Sequence, residues 1–150
     1  MTRQDGQVTD DWSEQRRADV LAKAELAARA RADDVARART LVAGFVARAR
    51  EAGLATSALL ARGGDSRDTY RTGLTGWYLR RDGSLAVADD GEMYVLVVRR
   101  SLRSRLSGVH LTPEEPRLQA GIGARDGESI ALASLLDLRL AAGDDWPVTR

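Results

Sequence analysis

Apolar side chains recur every three or four positions over residues 20–49: Val20, Ala24, Ala27, Ala28, Val35, Ala38, Val42, Phe45, Val46 and Ala49. At 100° per residue they gather on one side of a cylinder, the pattern of an amphipathic helix. Asp11 followed three positions later by Glu14 has capping-box spacing, and its acids suit the positive end of a helix dipole. The helix is therefore expected to start at residue 11, after a flexible stretch 1–10. Gly53 and Leu54 predict its stop: a glycine for the left-handed turn, then an apolar residue to fold back on the last turn. Thr56 or Ser57 is placed to cap a short second helix through Leu59, Leu60 and Arg62, which makes 11–62 one helical segment. Forty residues of helix span about 60 Å, against a radius of gyration of about 15 Å for a compact chain of this length. Either the rod breaks near residues 31–34, where Arg31 interrupts the apolar face, or it projects. The stripe is mostly alanine in its first half and bulkier over 35–46. The second half is thus expected to dock on the body, with the first half free or bound to a partner.

The period changes from 3.6 to 2 beyond residue 70. Trp77, Leu79, Leu85 and Val87 alternate with less apolar residues, and Asp82-Gly83 and Asp89-Asp90-Gly91 are hairpin-turn signals. Strands over 77–80, 84–88 and 92–98 are expected to form an antiparallel meander with one covered face. The run from Met93 to Val98 is apolar on both sides, which predicts a central strand. Residues 101–106 suit one helical turn, and 118–122 a fourth short strand. A helix follows, with Ser129 as N-cap, Ile130, Leu132, Leu135, Leu136 and Leu140 on its apolar side, and Gly143 as its stop. The tail 144–150 is expected to be loose unless Trp146 is anchored. The fold class is α+β: a long N-terminal helix, a small antiparallel sheet of three or four strands, and a C-terminal helix, with 70–143 as the small domain.

Composition narrows the chemistry. In 150 residues there is no cysteine, one histidine and a net charge of +1. Disulfides, thiolate nucleophiles and cysteine-ligated metals are excluded, and one histidine cannot build a His₂ or His₃ metal site. The single lysine, Lys23, precedes every glycine-rich segment, so no phosphate-binding loop of the lysine type is present. No metal, cofactor or small-molecule ligand is expected. The first residues lack an apolar signal core and no apolar run approaches the ~20 residues of a membrane span, so the expected location is cytoplasmic.

Two spots resemble catalytic sites. Gly127-Glu128-Ser129-Ile130-Ala131 approaches a nucleophile elbow, but its serine precedes an apolar helical run, where serine ordinarily caps. His110 has Glu114 and Glu115 close in sequence, which a general base would use. Gly121-Ile122-Gly123 leads toward a helix as phosphate loops do, but Asp126 stands where a third glycine belongs and repels phosphate. No catalytic residue is assigned.

Two binding surfaces remain. Val20, Ala24, Ala27, Val35, Val42 and Phe45 form the candidate partner-helix face, and the leading expectation is a non-enzymatic module that self-associates or binds a protein through the N-terminal helix. Arg80, Arg81, Arg99, Arg100, Arg103 and Arg105 form a basic set suited to phosphates, so nucleic acid or another polyanion is the alternative partner. Near-neutral charge and seven aromatic residues weigh against it.

Overall fold

The apolar stripe of the first third becomes α1, Gln4–Glu51, an unbroken helix of 48 residues that runs about 72 Å. The structure, a computed structural model, describes residues 4–64, 67–99, 102–121 and 129–149. The helix starts seven residues before the expected cap. No proline obstructs residues 4–10, and Asp5, Asp10 and Asp11 all lie toward the positive end of the dipole. It does not break at Arg31, because the alanines and arginines around it are strong helix formers. Its stop is as read from the sequence. Gly53 adopts φ 66°, the Leu54 amide bonds the Ala49 carbonyl and the Gly53 amide bonds that of Arg50, a complete Schellman closure.

Residues 56–62, expected to be helical, are corrected to strand β1, Ser57–Gly63. Alternate residues Leu59 and Ala61 are buried, and tertiary pairing outweighs the local capping signal. β1 runs antiparallel to β2, Thr69–Tyr78. β3, Leu85–Ala88, and β4, Met93–Val95, complete the meander. Both hairpin turns use one device. Asp82 Oδ1 accepts from the Ser84 amide at 3.0 Å and its hydroxyl at 2.6 Å; Asp90 Oδ1 accepts from the Glu92 amide at 2.8 Å. Gly83 and Gly91, each at positive φ, complete the turns.

The expected central strand over 92–98 is instead two edge strands. After Leu96 the chain becomes β5, Val97–Val98, parallel to β1. The strand order is β4-β3-β2-β1-β5, so the two edges of the sheet are one residue apart in the chain. The sheet must therefore roll until they meet. Leu96 closes it: its amide donates to the Ser84 carbonyl at 2.8 Å and its carbonyl accepts from the Arg62 amide at 2.7 Å.

Rolling gives the sheet two covered faces rather than one. All four β3 residues are buried. Ala86 and Ala88 face inward with Leu59, Tyr78, Tyr94 and Leu96, and the small alanines allow the interior to close. Leu85 and Val87 face outward with Trp77, Leu79 and Met93, against Val42, Phe45 and Val46 of α1. Phe45 meets Trp77 edge-on, with ring centroids 5.8 Å apart. The Trp77 indole N–H donates to the Leu54 carbonyl at 3.2 Å.

A short helix α2, Leu102–Ser107, follows. A two-stranded ribbon of β6, Gln119–Gly121, and β7, Ser129–Ala131, leads into α3, Leu132–Ala142, whose Leu132, Leu135 and Leu136 join the same helix–sheet core. Ser129 lies in β7 and the N-cap position is Ala131, with no side-chain cap. The helix is entered from a paired strand, so the serine cap is corrected.

Candidate functional site

The six residues of the predicted partner-helix face divide between two environments. Val42 and Phe45 are buried in the chain's own core and Val35 is half-buried, whereas Val20, Ala24 and Ala27 are exposed. From Val8 onward, Ala38 is the first fully buried residue of α1. From Val8 to Asp34 every side chain is exposed except the half-covered Ser13. Those 27 residues extend for about 40 Å.

The projecting segment has more apolar surface than its alanine content suggests. Trp12 is 69% exposed, Leu21 and Leu26 65% each, with Val8 and Val20 above one half. At 100° per residue these side chains are distributed around the free segment rather than gathered in one stripe. Val8, Trp12 and Leu26 were not in the predicted face, because Val8 precedes the expected start and Trp12 and Leu26 lie about 100° or more around the helix from the centre of that face. The i,i+4 spacing of Val8 and Trp12 was the signal that would have found them.

The charges on this segment form no ion pair among the described residues. The i,i+4 pairs Asp19–Lys23, Glu25–Arg29 and Asp33–Arg37 do not close within 4 Å; among the described residues every salt bridge involves the body. Asp19 accepts instead from Gln15 at 3.3 Å.

The arginine set is dispersed. Arg80 pairs with Asp82 at 3.0 Å and Arg105 with Asp68 at 2.5 Å. Arg81 stacks on Trp146, 4.8 Å from the ring centroid. Arg99 and Arg103 are exposed, and Arg100 lies outside the described residues. Burial raises the Asp82 carboxyl, but hydrogen bonds from Ser84 and the charges of Arg80 and Arg62 outweigh it and hold the group below its usual range. These ion pairs divert positive charge from any polyanion.

One cleft of about 500 Å³ opens between the start of β1 and the C-terminal tail, lined by Thr56, Ser57, Tyr78, Arg139, Asp144 and Trp146 among others. Its two charged groups, Arg139 and Asp144, are committed to structure. Arg139, 5% exposed, donates from Nε to the Tyr78 carbonyl at 2.8 Å and from Nη1 to the Gly143 carbonyl at 2.6 Å. Asp144 accepts from the Ala55 amide at 2.9 Å. Burial lowers the Arg139 pKa, opposed by the charge of Asp144. Trp146 lies between Arg81 and Arg139, and the Thr149 amide donates to the Arg81 carbonyl at 2.7 Å. The tail is thus strapped to the barrel.

His110 is exposed on the segment after α2, with no hydrogen-bonded carboxylate among the described residues, and the Ser129 side chain lies outside them. Residues 122–128, which include Gly123 and Asp126, also lie outside. Among the described residues no cluster of His, Asp or Glu is placed to hold a metal, and no helix is long and apolar enough to cross a membrane. Comparisons with protein-family models, with curated proteins and with solved structures find no match to this chain.

Proposed function

We propose that the chain is a non-enzymatic interaction module: the α+β body is an anchor, and the first half of α1 is the element that engages another protein. The observation that supports this most directly is the division of α1 near residue 35. One half supplies the body's core, while the other exposes Trp12, Val20, Leu21 and Leu26 with nothing of its own chain against them. An isolated helix in water is marginal even with good propensity. A partner that covers its apolar side chains contributes roughly 1.5–3 kcal/mol for each one buried fully.

A photo-reactive amino acid placed at Leu26, and separately at Ala24, tests this in the native cell. Covalent adducts to a protein at these sites, and none from a control at Asp137 on the exposed side of α3, are the expected result. If neither site yields a protein adduct, the interaction reading fails.

A further inference from the structure

We infer that α2, Leu102–Ser107, seats on an anionic lipid surface, its two leucines entering the headgroup boundary and nearby arginines meeting phosphate. The inference does not rest on the interaction reading of α1. The short helix is built inside out. At 100° per residue Leu102 and Leu106 lie about 40° apart, Arg103 and Arg105 stand about 80° to either side of the pair, and Ser104 is opposite. Ser104 is the half-buried residue, whereas Leu102 is 75% and Leu106 85% exposed, the highest values among the described large apolar residues. A helix that covers a core points its leucines inward and its serines outward. No residue of α2 is buried, so the leucines do nothing for the body.

The fold holds the helix in this attitude. The Gly108 amide closes it on the Ser104 carbonyl at 3.0 Å, and the Val109 amide bonds the Arg71 carbonyl of β2 at 2.7 Å. Gly108, at φ 79°, lies so near that carbonyl that a Cβ would stand 2.8 Å from its oxygen. Arg105 is tied to Asp68. Charge then names the partner. Residues 93–113 contain no Asp or Glu. Arg71, Arg99 and Arg103 are exposed and form no ion pair among the described residues. Two leucines are too small a patch for a protein interface, which needs about 800 Å² from each partner. Nor does α2 carry an aromatic ring on which a base could stack. A bilayer needs no matching contour: leucines enter its acyl boundary while arginines reach its phosphates.

Flotation of the full chain with vesicles tests this. Binding is expected to phosphatidylcholine vesicles containing about 30% phosphatidylglycerol and not to phosphatidylcholine alone, and it should weaken as salt rises. Leu102→Ser with Leu106→Ser should lose about tenfold in vesicle affinity, and Arg99→Ser with Arg103→Ser about tenfold as well. All four side chains are exposed, so thermal unfolding of both variants should match that of the unaltered chain. Because the chain has no cysteine, an environment-sensitive dye on a Leu106→Cys variant reads insertion. Its emission should shift to the blue on anionic vesicles. The same dye on Leu138→Cys, exposed on α3, and on Leu26→Cys, exposed on α1, should not respond. Failure to bind anionic vesicles, or a leucine double variant that binds them as tightly, overturns the inference. So does a blue shift at residue 26 without one at 106, which would put the lipid on α1. Binding of RNA or DNA without vesicle binding would assign the arginines to nucleic acid and overturn it too.

Discussion

The Tyr78 hydroxyl lies 2.8 Å from the Leu60 amide and accepts its hydrogen bond, at the point where β1 loses register with β2 between Ala58 and Leu60. The same hydroxyl donates to the Ala58 carbonyl at 3.4 Å, and Thr72 Oγ1 donates to the intervening Leu59 carbonyl at 2.5 Å. A bulge normally leaves ladder groups unpaired. Here two side chains of β2 complete the ladder from the far strand and hold the bend that lets the sheet roll.

Replacing Tyr78 with Phe keeps the ring in the barrel interior and strands the Leu60 amide. The cost of a shielded donor without an acceptor is about 1 to 2 kcal/mol. Urea unfolding of Tyr78→Phe should show a lower midpoint with an unchanged slope. A slope change would mean that the roll itself had opened.

Alkaline pH reports on a second tyrosine. Burial, then the hydrogen bond to Asp90 at 2.9 Å and the charges of Asp90 and Glu92, push the Tyr94 pKa up to about 12 from its usual 10. A raised folded-state pKa contributes stability that is whole below pH 10 and is lost as pH rises from 10 to 12, because the unfolded chain releases the proton first. Unfolding free energy should fall across that window. Tyr94→Phe, though weaker at neutral pH, should fall less steeply, and parallel curves for the two proteins would exclude the assignment.

The hairpins and both helix stops were legible because their signals are local: Asp-Gly turns, and Gly53 and Gly143 beyond periodic runs. β1 was not, because Thr56, Ser57 and the paired leucines 59 and 60 imitate a helix start, and only the partner strand, β2, decides otherwise. The run 93–98 was misread for a similar reason. Its residues serve two opposite edges of a closed sheet, and closure is a long-range fact with no local marker. The partners of the basic set were only partly within reach of a sequence reading: Asp82 stands two residues from Arg80 but was read as a turn residue, and Asp68 reaches Arg105 across 37 residues, which no local signal marks. The projection of α1 was one of the two outcomes that its length allowed, whereas Val8 preceded the expected start and Trp12 lay off the predicted face.

The tail provides a test of packing against charge. Arg139 holds Tyr78, Gly143 and Trp146 together through donors that a lysine cannot supply in the same plane. Arg139→Lys should cost roughly 2 kcal/mol through the shielded carbonyls it leaves unpaired. Because the Trp146 indole N–H has no acceptor among the described residues, the ring depends on stacking, and its release should red-shift the tryptophan fluorescence. Arg81→Lys, which disturbs an exposed stack alone, should shift it less.

The two halves of α1 should respond to the same kind of substitution in opposite ways. Phe45 is wholly buried against Trp77, so Phe45→Ala should destabilise the body by about 3 to 5 kcal/mol. Leu26→Ala, on the free half, removes nothing from the core and raises helix propensity, so body stability should change by less than about 0.5 kcal/mol. Hydrogen exchange separates the two effects along one continuous helix. In dilute protein the amides of residues 38–49 should open only with global unfolding. Those of residues 8–30 should exchange through local fraying, since no tertiary contact adds to their propensity. Association should then protect 8–30 selectively, and Leu26→Ala should reduce that protection without altering 38–49. Uniform protection along the whole of α1 in dilute protein would contradict the division of the helix into an anchored half and a free one.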